Sequence, residues 1–340
     1  MTGRKAAKLP RGVAVIILFV ATGLVLVLSP GLAVLAAAAS PLCGRRRPIR
    51  ILVLAIHYLV HDCLTVLACA GLWLYHGCGR RLHTDAARRH HYRLAWWFLD
   101  RLYRRATAVL EVDVAYDDSG DGEAVLGDVT RPVVVLARHG GVADSFLIVR
   151  ELLRLGRQPR IVMDERLSLD PVIGVLGRRL PVVFVPAHGR HRVVAEISRL
   201  AAGMADGDAL LIFPEGGNFT RRRRQRRIAS VHRRDSRRGR RVERLRNVLP
   251  VRPAGTLAAL EGAPAGQVVI LGHQGMGRIE RPVEIFRDLP VEARISLRVW
   301  AYESEDLPPG GDQLVSWLDE RWAEVDRWID SARSRSSSAA

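Results

Sequence analysis

A histidine and an aspartate five positions apart are the residues in this chain best suited to chemistry. His139 follows the apolar run 133–137, and Asp144 stands at the start of a helical pattern. Histidine accepts a proton near neutral pH, and a carboxylate beside it fixes its tautomer and stabilises the imidazolium. We expect a tight turn at Gly140-Gly141 to fold the two side chains toward each other. The spacing predicts a general base at His139, although a loop histidine followed by an N-cap aspartate has the same pattern.

A second apolar run, 209–213, ends at Phe213-Pro214-Glu215-Gly216. Two buried strands that finish on polar or glycine-flanked residues are typical of an α/β active site, because such sites gather at strand ends. No cysteine occurs after residue 78, and no serine stands in a Gly-x-Ser-x-Gly elbow, so no protein nucleophile is indicated. This favours direct attack by a substrate hydroxyl that the histidine activates.

The elements that must position these residues alternate along the chain. Strands are predicted at 109–115, 133–137, 160–163, 182–185, 209–213, 268–272 and 295–302. Helices are predicted between them at 144–155, 168–179, 190–205 and 220–246. This order predicts an α/β fold, a mixed sheet flanked by helices. The segment 272–277 has the wrong spacing for a dinucleotide loop and is predicted to be a turn after a strand. A structural role is favoured for His273, and lining of the pocket is the alternative.

Two apolar runs, 12–39 and 51–75, precede the α/β region. Each is long enough to enter a bilayer, which needs roughly 20 apolar residues. Basic residues flank both runs on every side, so a shallow hairpin that enters and leaves on one face fits better than two full crossings. The alternative for the first run, a cleaved signal peptide, is disfavoured by its length and by the second run. The basic amphipathic stretch 84–105 is suited to lipid headgroups or to packing on the domain.

The predicted organisation has five parts. They are a membrane hairpin at 1–80, an interfacial helix at 81–107, the α/β domain at 108–305, an amphipathic helix at 306–330 and a disordered tail at 331–340. Trp317, Trp322 and Trp328 recur near helical spacing in the amphipathic helix, which predicts a docking surface. The four cysteines lie in or beside the apolar runs and lack Cys-x-x-Cys spacing, so no metal site is predicted.

Charge is concentrated in one segment of a chain whose formal net charge is +17. Residues 221–246 contain fourteen arginines against Asp235 and Glu243. No aromatic residue interleaves the run, which disfavours nucleic acid as a partner. Because apolar anchors are present in the same chain, anionic lipid headgroups or an anionic substrate are the favoured partner, ahead of a merely solvated basic face.

The two motifs together resemble those of the glycerolipid acyltransferases of the 1-acylglycerol-3-phosphate acyltransferase family. That family carries N-H-x4-D and F-P-E-G-T blocks in this order, and the likeness covers about residues 110–260. The closer similarity is to the branch that includes the lysocardiolipin acyltransferases, in which a basic helix follows the second block and ends in a segment like 247–253, NVLPVRP. Two positions differ, because Arg138 replaces the asparagine and Gly217 the threonine.

The resemblance implies roles for individual residues. His139 would deprotonate an acceptor hydroxyl, Asp144 would orient it, and the hydroxyl would attack an acyl thioester directly. An arginine fork suits the acceptor phosphate because it donates twice. The residues that would bind the acceptor and its phosphate are Arg190, Arg192, Glu215, Gly216 and Gly217.

The implied activity is that of a membrane-attached O-acyltransferase of phospholipid biosynthesis or remodelling. It would transfer a fatty acyl group from acyl-CoA or acyl carrier protein to a lysophospholipid such as 1-acylglycerol-3-phosphate. No metal or further cofactor is expected, because the thioester is already activated. The catalytic domain would face the cytoplasm at the cell membrane. The alternatives are a glycolipid or aminolipid acceptor, and a catalytically silent membrane protein that binds anionic lipid or nucleic acid through its arginines.

Overall fold

The chain folds into two compact units. The computed structural model describes residues 11–43, 46–117, 122–141, 143–186, 190–276 and 293–338. One unit comprises residues 1–110 and 163–188, and the other comprises residues 111–162 and 189–340. The first unit therefore includes a segment, 163–188, that lies within the α/β region predicted from the sequence.

The first unit begins with the predicted apolar helical hairpin. Helix α1 spans Arg11–Cys43 and packs against α2, Arg47–Tyr75. Both helices are long and apolar enough to cross a membrane. Their apolar side chains are largely uncovered, as at Val27, which is 77% exposed, and Leu35, which is 67% exposed. Exposure of this surface to water would be unfavourable, because removing one methylene group from water stabilises the protein by roughly 0.8 kcal/mol.

Further elements of the first unit pack on α2. Helix α3, Asp85–Leu110, lies along it and buries Tyr92 and Phe98. A 3-10 turn at Glu165–Leu169 leads into α6, Pro171–Leu176, and then into strand β4, Val182–Val185. The Arg179 guanidinium donates to the Cys69 carbonyl oxygen at 2.6 Å. Where the sequence predicts one helix at 168–179, the structure has the end of the 3-10 turn and the short helix α6. The two are separated at Asp170, which caps α6.

The sheet has seven strands and is mixed, as predicted. Besides β4, its strands are β1 Val112–Tyr116, β2 Val133–Ala137, β3 Gln158–Asp164, β5 Asp208–Ile212, β6 Gln267–Gln274 and β7 Ala293–Glu303. Their order is β1-β7-β6-β2-β5-β3-β4. Strand β6 pairs antiparallel with β7, whereas the pairs β1–β7, β2–β6, β2–β5 and β3–β5 are parallel. Strands β2, β5 and β6 are buried along their whole length. Central strands covered on both faces have this continuous apolar character.

Helices surround the sheet within the second unit. They are α4 Gly122–Gly127, α5 Ala143–Arg154, α7 Arg190–Ala202, α8 Arg221–Arg234, α9 Ser236–Val242, α10 Pro253–Gly262 and α11 Gly311–Ser338, with a 3-10 turn at Ser304–Asp306. The predicted helix 220–246 is divided at Asp235, whose carboxylate accepts from Arg238 N at 2.9 Å and caps α9. Capping side chains compete with helix continuation, which explains the break.

The last helix, α11, docks on the sheet through its tryptophans, as predicted. Trp322 has no exposed surface, and Trp328 Nε1 donates to Asp117 Oδ2 at 2.7 Å. Trp317 meets the ring of Tyr302 edge-on with centroids 5.0 Å apart. The helix continues to Ser338, past the predicted end at residue 330.

Strand β6 is longer than its sequence pattern indicates. The prediction of a turn at 272–277 is wrong at its beginning, because β6 continues through His273 to Gln274. Its antiparallel pairing with β7 extends to Gln274 opposite Ser296. Cross-strand backbone hydrogen bonds therefore keep this segment extended, and Gly275, with φ of 93°, ends the strand.

A buried ion pair joins α9 to α11, and its removal tests this packing. Arg238 donates to both carboxylate oxygens of Asp319 at 2.7 and 2.8 Å. Arg238→Leu leaves a buried carboxylate unpaired, so we expect it to lower the free energy of unfolding of this unit by about 3 to 5 kcal/mol. Thermal melting followed by tryptophan fluorescence measures the loss. Arg237→Leu, at an exposed neighbouring position, is the matched control, and equal melting of the two variants would contradict the assignment.

Candidate active site

The structure brings His139 and Asp144 together at the end of β2. His139 Nδ1 lies 3.1 Å from Asp144 Oδ1 and 3.2 Å from Oδ2. The Asp144 side chain has no exposed surface, whereas that of His139 is 17% exposed. Because Nδ1 faces the carboxylate, Nε2 is the nitrogen left to take a proton from a substrate. This is the arrangement of a general base with an orienting carboxylate.

Asp144 is held by more groups than His139 alone. Its Oδ2 accepts from Gly141 N at 2.9 Å and lies 3.3 Å from His273 Nε2, while Ser145 Oγ donates to Oδ1 at 3.2 Å. Burial by itself would raise the pKa of Asp144, but the hydrogen bonds from His139 and His273 outweigh it and hold the pKa below its usual range. The carboxylate is therefore ionised at neutral pH.

Glu215 joins two loops beneath the histidine. Its Oε1 accepts from His139 N at 2.9 Å, and its Oε2 accepts from Leu249 N at 2.8 Å. The side chain has no exposed surface. Burial raises the pKa of Glu215 to about 7, against the opposing influence of Arg138 and the two N–H donors. This geometry supports the catalytic loop directly, and contact of Glu215 with an acceptor stays a prediction.

Glycines allow the backbone to turn tightly after β5. Gly216 has φ of 61° and Gly217 has φ of 148°, both in the region that favours glycine. A Cβ at Gly216 would lie 2.8 Å from Arg252 Cδ. A threonine at position 217 would be strained in this backbone, which explains the glycine found there. The turn also places the Phe213 ring against His139, with centroids 4.4 Å apart.

Arg138 lies inside the protein beneath the loop 139–141, which follows β2 and carries His139. It is 4% exposed, and its guanidinium donates to the carbonyl oxygens of His273 at 3.0 Å and Asn247 at 3.1 Å. Arg138 stands where the motif that the sequence resembles has asparagine, and the residue order gives no sign of its partners. Parallel pairing of β2 with β6 brings Arg138 beside His273.

The C-terminal helix α11 holds the segment that Arg138 contacts. Asp326 accepts from the backbone nitrogens of Arg246 and Asn247, and Asn247 Nδ2 donates to Asp330 Oδ1 at 2.8 Å. Burial raises the pKa of Asp326, and the backbone N–H donors oppose that rise. The loop between α9 and α10, which includes Leu249, is therefore fixed from two sides, by Glu215 and by α11.

Two predicted phosphate-binding residues lie outside what the structure describes in detail. Arg190 and Arg192 belong to the first turn of α7, and their side chains are outside the described residues. Binding of an acceptor phosphate by these arginines stays a prediction. In the described part of the chain, no group of three or more His, Cys, Asp or Glu is placed to hold a metal ion.

Comparison with known proteins finds a similarity in the segment that carries the site. Residues 122–250 match the family model described as Acyltransferase. The matched segment includes His139, Asp144 and Glu215. No curated protein matches the chain. The match supports acyl transfer as the class of reaction, in agreement with the resemblance of the motifs.

The role of Glu215 as a backbone clamp can be tested by hydrogen exchange. Glu215→Ala removes the acceptors of two N–H groups, and each buried donor left unsatisfied costs about 1 to 3 kcal/mol. We expect faster amide exchange at His139 and Leu249, measured by mass spectrometry of peptides that cover 138–141 and 247–250. Glu305→Ala, at an exposed glutamate, is the control. Unchanged protection of both peptides in Glu215→Ala would exclude the clamp.

Proposed function

We propose that this protein is a membrane-attached O-acyltransferase that esterifies a hydroxyl of a lysophospholipid, such as 1-acylglycerol-3-phosphate, with a fatty acyl group from an acyl thioester. The observation that carries the proposal is the pairing of His139 Nδ1 with the buried carboxylate of Asp144 at 3.1 Å. The acyltransferase match over 122–250 supports the reaction class. Acyl-CoA and acyl carrier protein both present the required thioester.

The proposed reaction is a direct transfer. Neutral His139 accepts the proton of the acceptor hydroxyl at Nε2 while the hydroxyl oxygen attacks the thioester carbonyl carbon. The tetrahedral intermediate collapses, the carbon–sulfur bond breaks, and the imidazolium returns its proton to the leaving thiolate. The products are an ester and a free thiol. Asp144 stabilises the imidazolium between the two proton transfers, and the thioester needs no activation by a metal.

The acceptor is proposed to enter at the ends of β2 and β5. The loops there present the exposed edge of His139 and the turn at Gly216 and Gly217. Arg190 and Arg192 would bind the phosphate, since guanidinium groups match its geometry and charge. The guanidinium of Arg138 lies in the interior. Its presence in place of asparagine therefore acts on the loop rather than on the acceptor by contact.

Membrane attachment is proposed from the apolar helices and from the basic surface of α8 and α9. Helices α1 and α2 expose apolar side chains over much of their length. Eleven of the fourteen arginines in 221–246 are exposed, whereas Arg224, Arg227 and Arg238 are half-buried. Each basic residue near an anionic membrane contributes about 1 kcal/mol of attraction. We propose anionic lipid as the partner of this surface, at the cell membrane with the catalytic unit in the cytoplasm, where acyl thioesters are found.

Replacement of His139 tests the mechanism. His139→Ala removes the base, so we expect the rate of transfer to fall by about 10²- to 10⁴-fold while folding and membrane binding are retained. The assay measures free thiol released from acyl-CoA by purified protein, with and without a panel of lysolipid acceptors analysed by mass spectrometry. His83→Ala, at an exposed histidine, is the control.

The same assay separates the alternatives. Thiol release that depends on a lysophospholipid supports the proposal. Thiol release that depends on a glycolipid or aminolipid would change the proposed acceptor but not the type of reaction. Near-normal turnover in His139→Ala would overturn the mechanism. A wild-type protein that binds anionic vesicles but releases no thiol with any acceptor or donor would be the catalytically silent lipid-binding protein.

A further inference from the structure

We propose that His273 is a positioning residue for the proposed reaction, and that it holds the Asp144 carboxylate through a hydrogen bond so that two histidines share one carboxylate. His273 lies one residue before the end of β6 and has no exposed surface. Its Nε2 is 3.3 Å from Asp144 Oδ2. The kinetic part of this inference rests on the proposed function, whereas its structural part does not.

The neighbours of His273 determine its tautomer. Its Nδ1 lies 3.4 Å from Arg138 Nη1, and a guanidinium nitrogen only donates. Nδ1 must therefore be the acceptor, and the ring proton belongs on Nε2. Two acceptors lie at 3.3 Å from Nε2, namely Asp144 Oδ2 and the Arg138 carbonyl oxygen. The ionised carboxylate is the stronger of the two.

His273 is a fixed donor rather than a second base. Burial lowers its pKa, and the positive charge of Arg138 disfavours protonation further, although Asp144 opposes both effects. The ring therefore stays neutral around pH 7 with a single proton on Nε2. The titratable groups that act on Asp144 are His139 and His273, and Arg138 acts on His273. Glu215 binds the backbone of His139 and is itself affected by Arg138.

The fold provides space for the His273 ring beneath the loop 139–141. Strand β6 runs parallel to β2 with Leu271 in register with Ala137, and Arg138 N donates to the Leu271 carbonyl oxygen at 3.0 Å. The next residues of both strands therefore lie side by side. At Gly140 a Cβ would lie 2.9 Å from His273 Cε1. The absence of a side chain at Gly140 is thus what allows the His273 ring to reach Asp144.

Loss of this donor has a definite expected effect on catalysis. Without His273 the carboxylate is less stabilised, attracts the His139 proton more strongly and is less restrained in rotation. In the variant, His139 then remains protonated up to a higher pH, and the neutral base is present only above that pH. We expect the acid limb of the pH profile to move upward, and kcat to fall with little change in KM, because no contact with the acceptor is removed.

The test compares His273→Leu with His273→Gln. Leucine keeps the volume without a donor, whereas the glutamine amide nitrogen donates from a position similar to Nε2. We expect His273→Leu to lower kcat by about tenfold and to move the acid limb up by about half to one pH unit, and His273→Gln to restore most of both. His83→Leu is the control. Equal profiles for the Leu and Gln variants, or an unshifted limb in His273→Leu, would overturn the inference.

A second measurement needs no substrate. In protein labelled with ¹⁵N-histidine, ring NMR reports the tautomer of His273, which is assigned by its loss in His273→Gln. We expect Nε2–H with unprotonated Nδ1 at about pH 7 to 8, since burial and Arg138 lower the pKa of the ring. A His273 ring that is protonated on Nδ1 would overturn the proposal even if the protein transfers no acyl group. Absent acyl transfer with the expected tautomer would instead count against the proposed function alone.

Discussion

A buried negative charge on Asp144 is the constraint that organises the end of the central sheet. A carboxylate without exposed surface is stable only where donors replace its water. Here the donors come from three places in the chain, which are the loop with His139 and Gly141, the helix residue Ser145 and the strand residue His273. Stabilisation of this one carboxylate therefore needs the loop after β2, the start of α5 and the end of β6 together. The need for their donors fixes the relative positions of these three elements.

The two carboxylates of the site serve the histidine in different ways. Asp144 binds the ring and has a lowered pKa, whereas Glu215 binds the backbone of His139 and has a pKa raised to about 7 by burial. The difference follows from their surroundings, because two histidine rings, a hydroxyl and a peptide N–H donate to Asp144, whereas Glu215 accepts from two peptide N–H groups. Environments that separate the pKa values of neighbouring acids are a recognised means of dividing their roles. Asp144 thus contacts the ring of His139, and Glu215 holds its backbone.

Much of this arrangement can be predicted from the sequence. The contacts that cannot be predicted join residues far apart in the chain. The seven strands were predictable from apolar runs, with β2 and β4 correct to the residue. The His139–Asp144 contact was predictable because the two residues are close in sequence. The contact of His273 with Asp144 depends on strand order, which no local pattern encodes. The break at Asp235 was missed because arginine-rich helical periodicity masked a capping residue, and the end of β6 was missed because its pairing with β7 is nonlocal.

The attachment of α11 to the loop at Asn247 has a practical consequence for handling the protein. Asp326 and Asp330 contact Asn247, and the Asn247 carbonyl oxygen in turn accepts from Arg138 beneath the histidine. A chain shortened before residue 326 would retain every residue that matches the family model yet lose this support. Expression boundaries drawn from motif similarity alone would thus cut away part of the scaffold of the active site, and a fusion partner is better attached beyond the helix than in place of it.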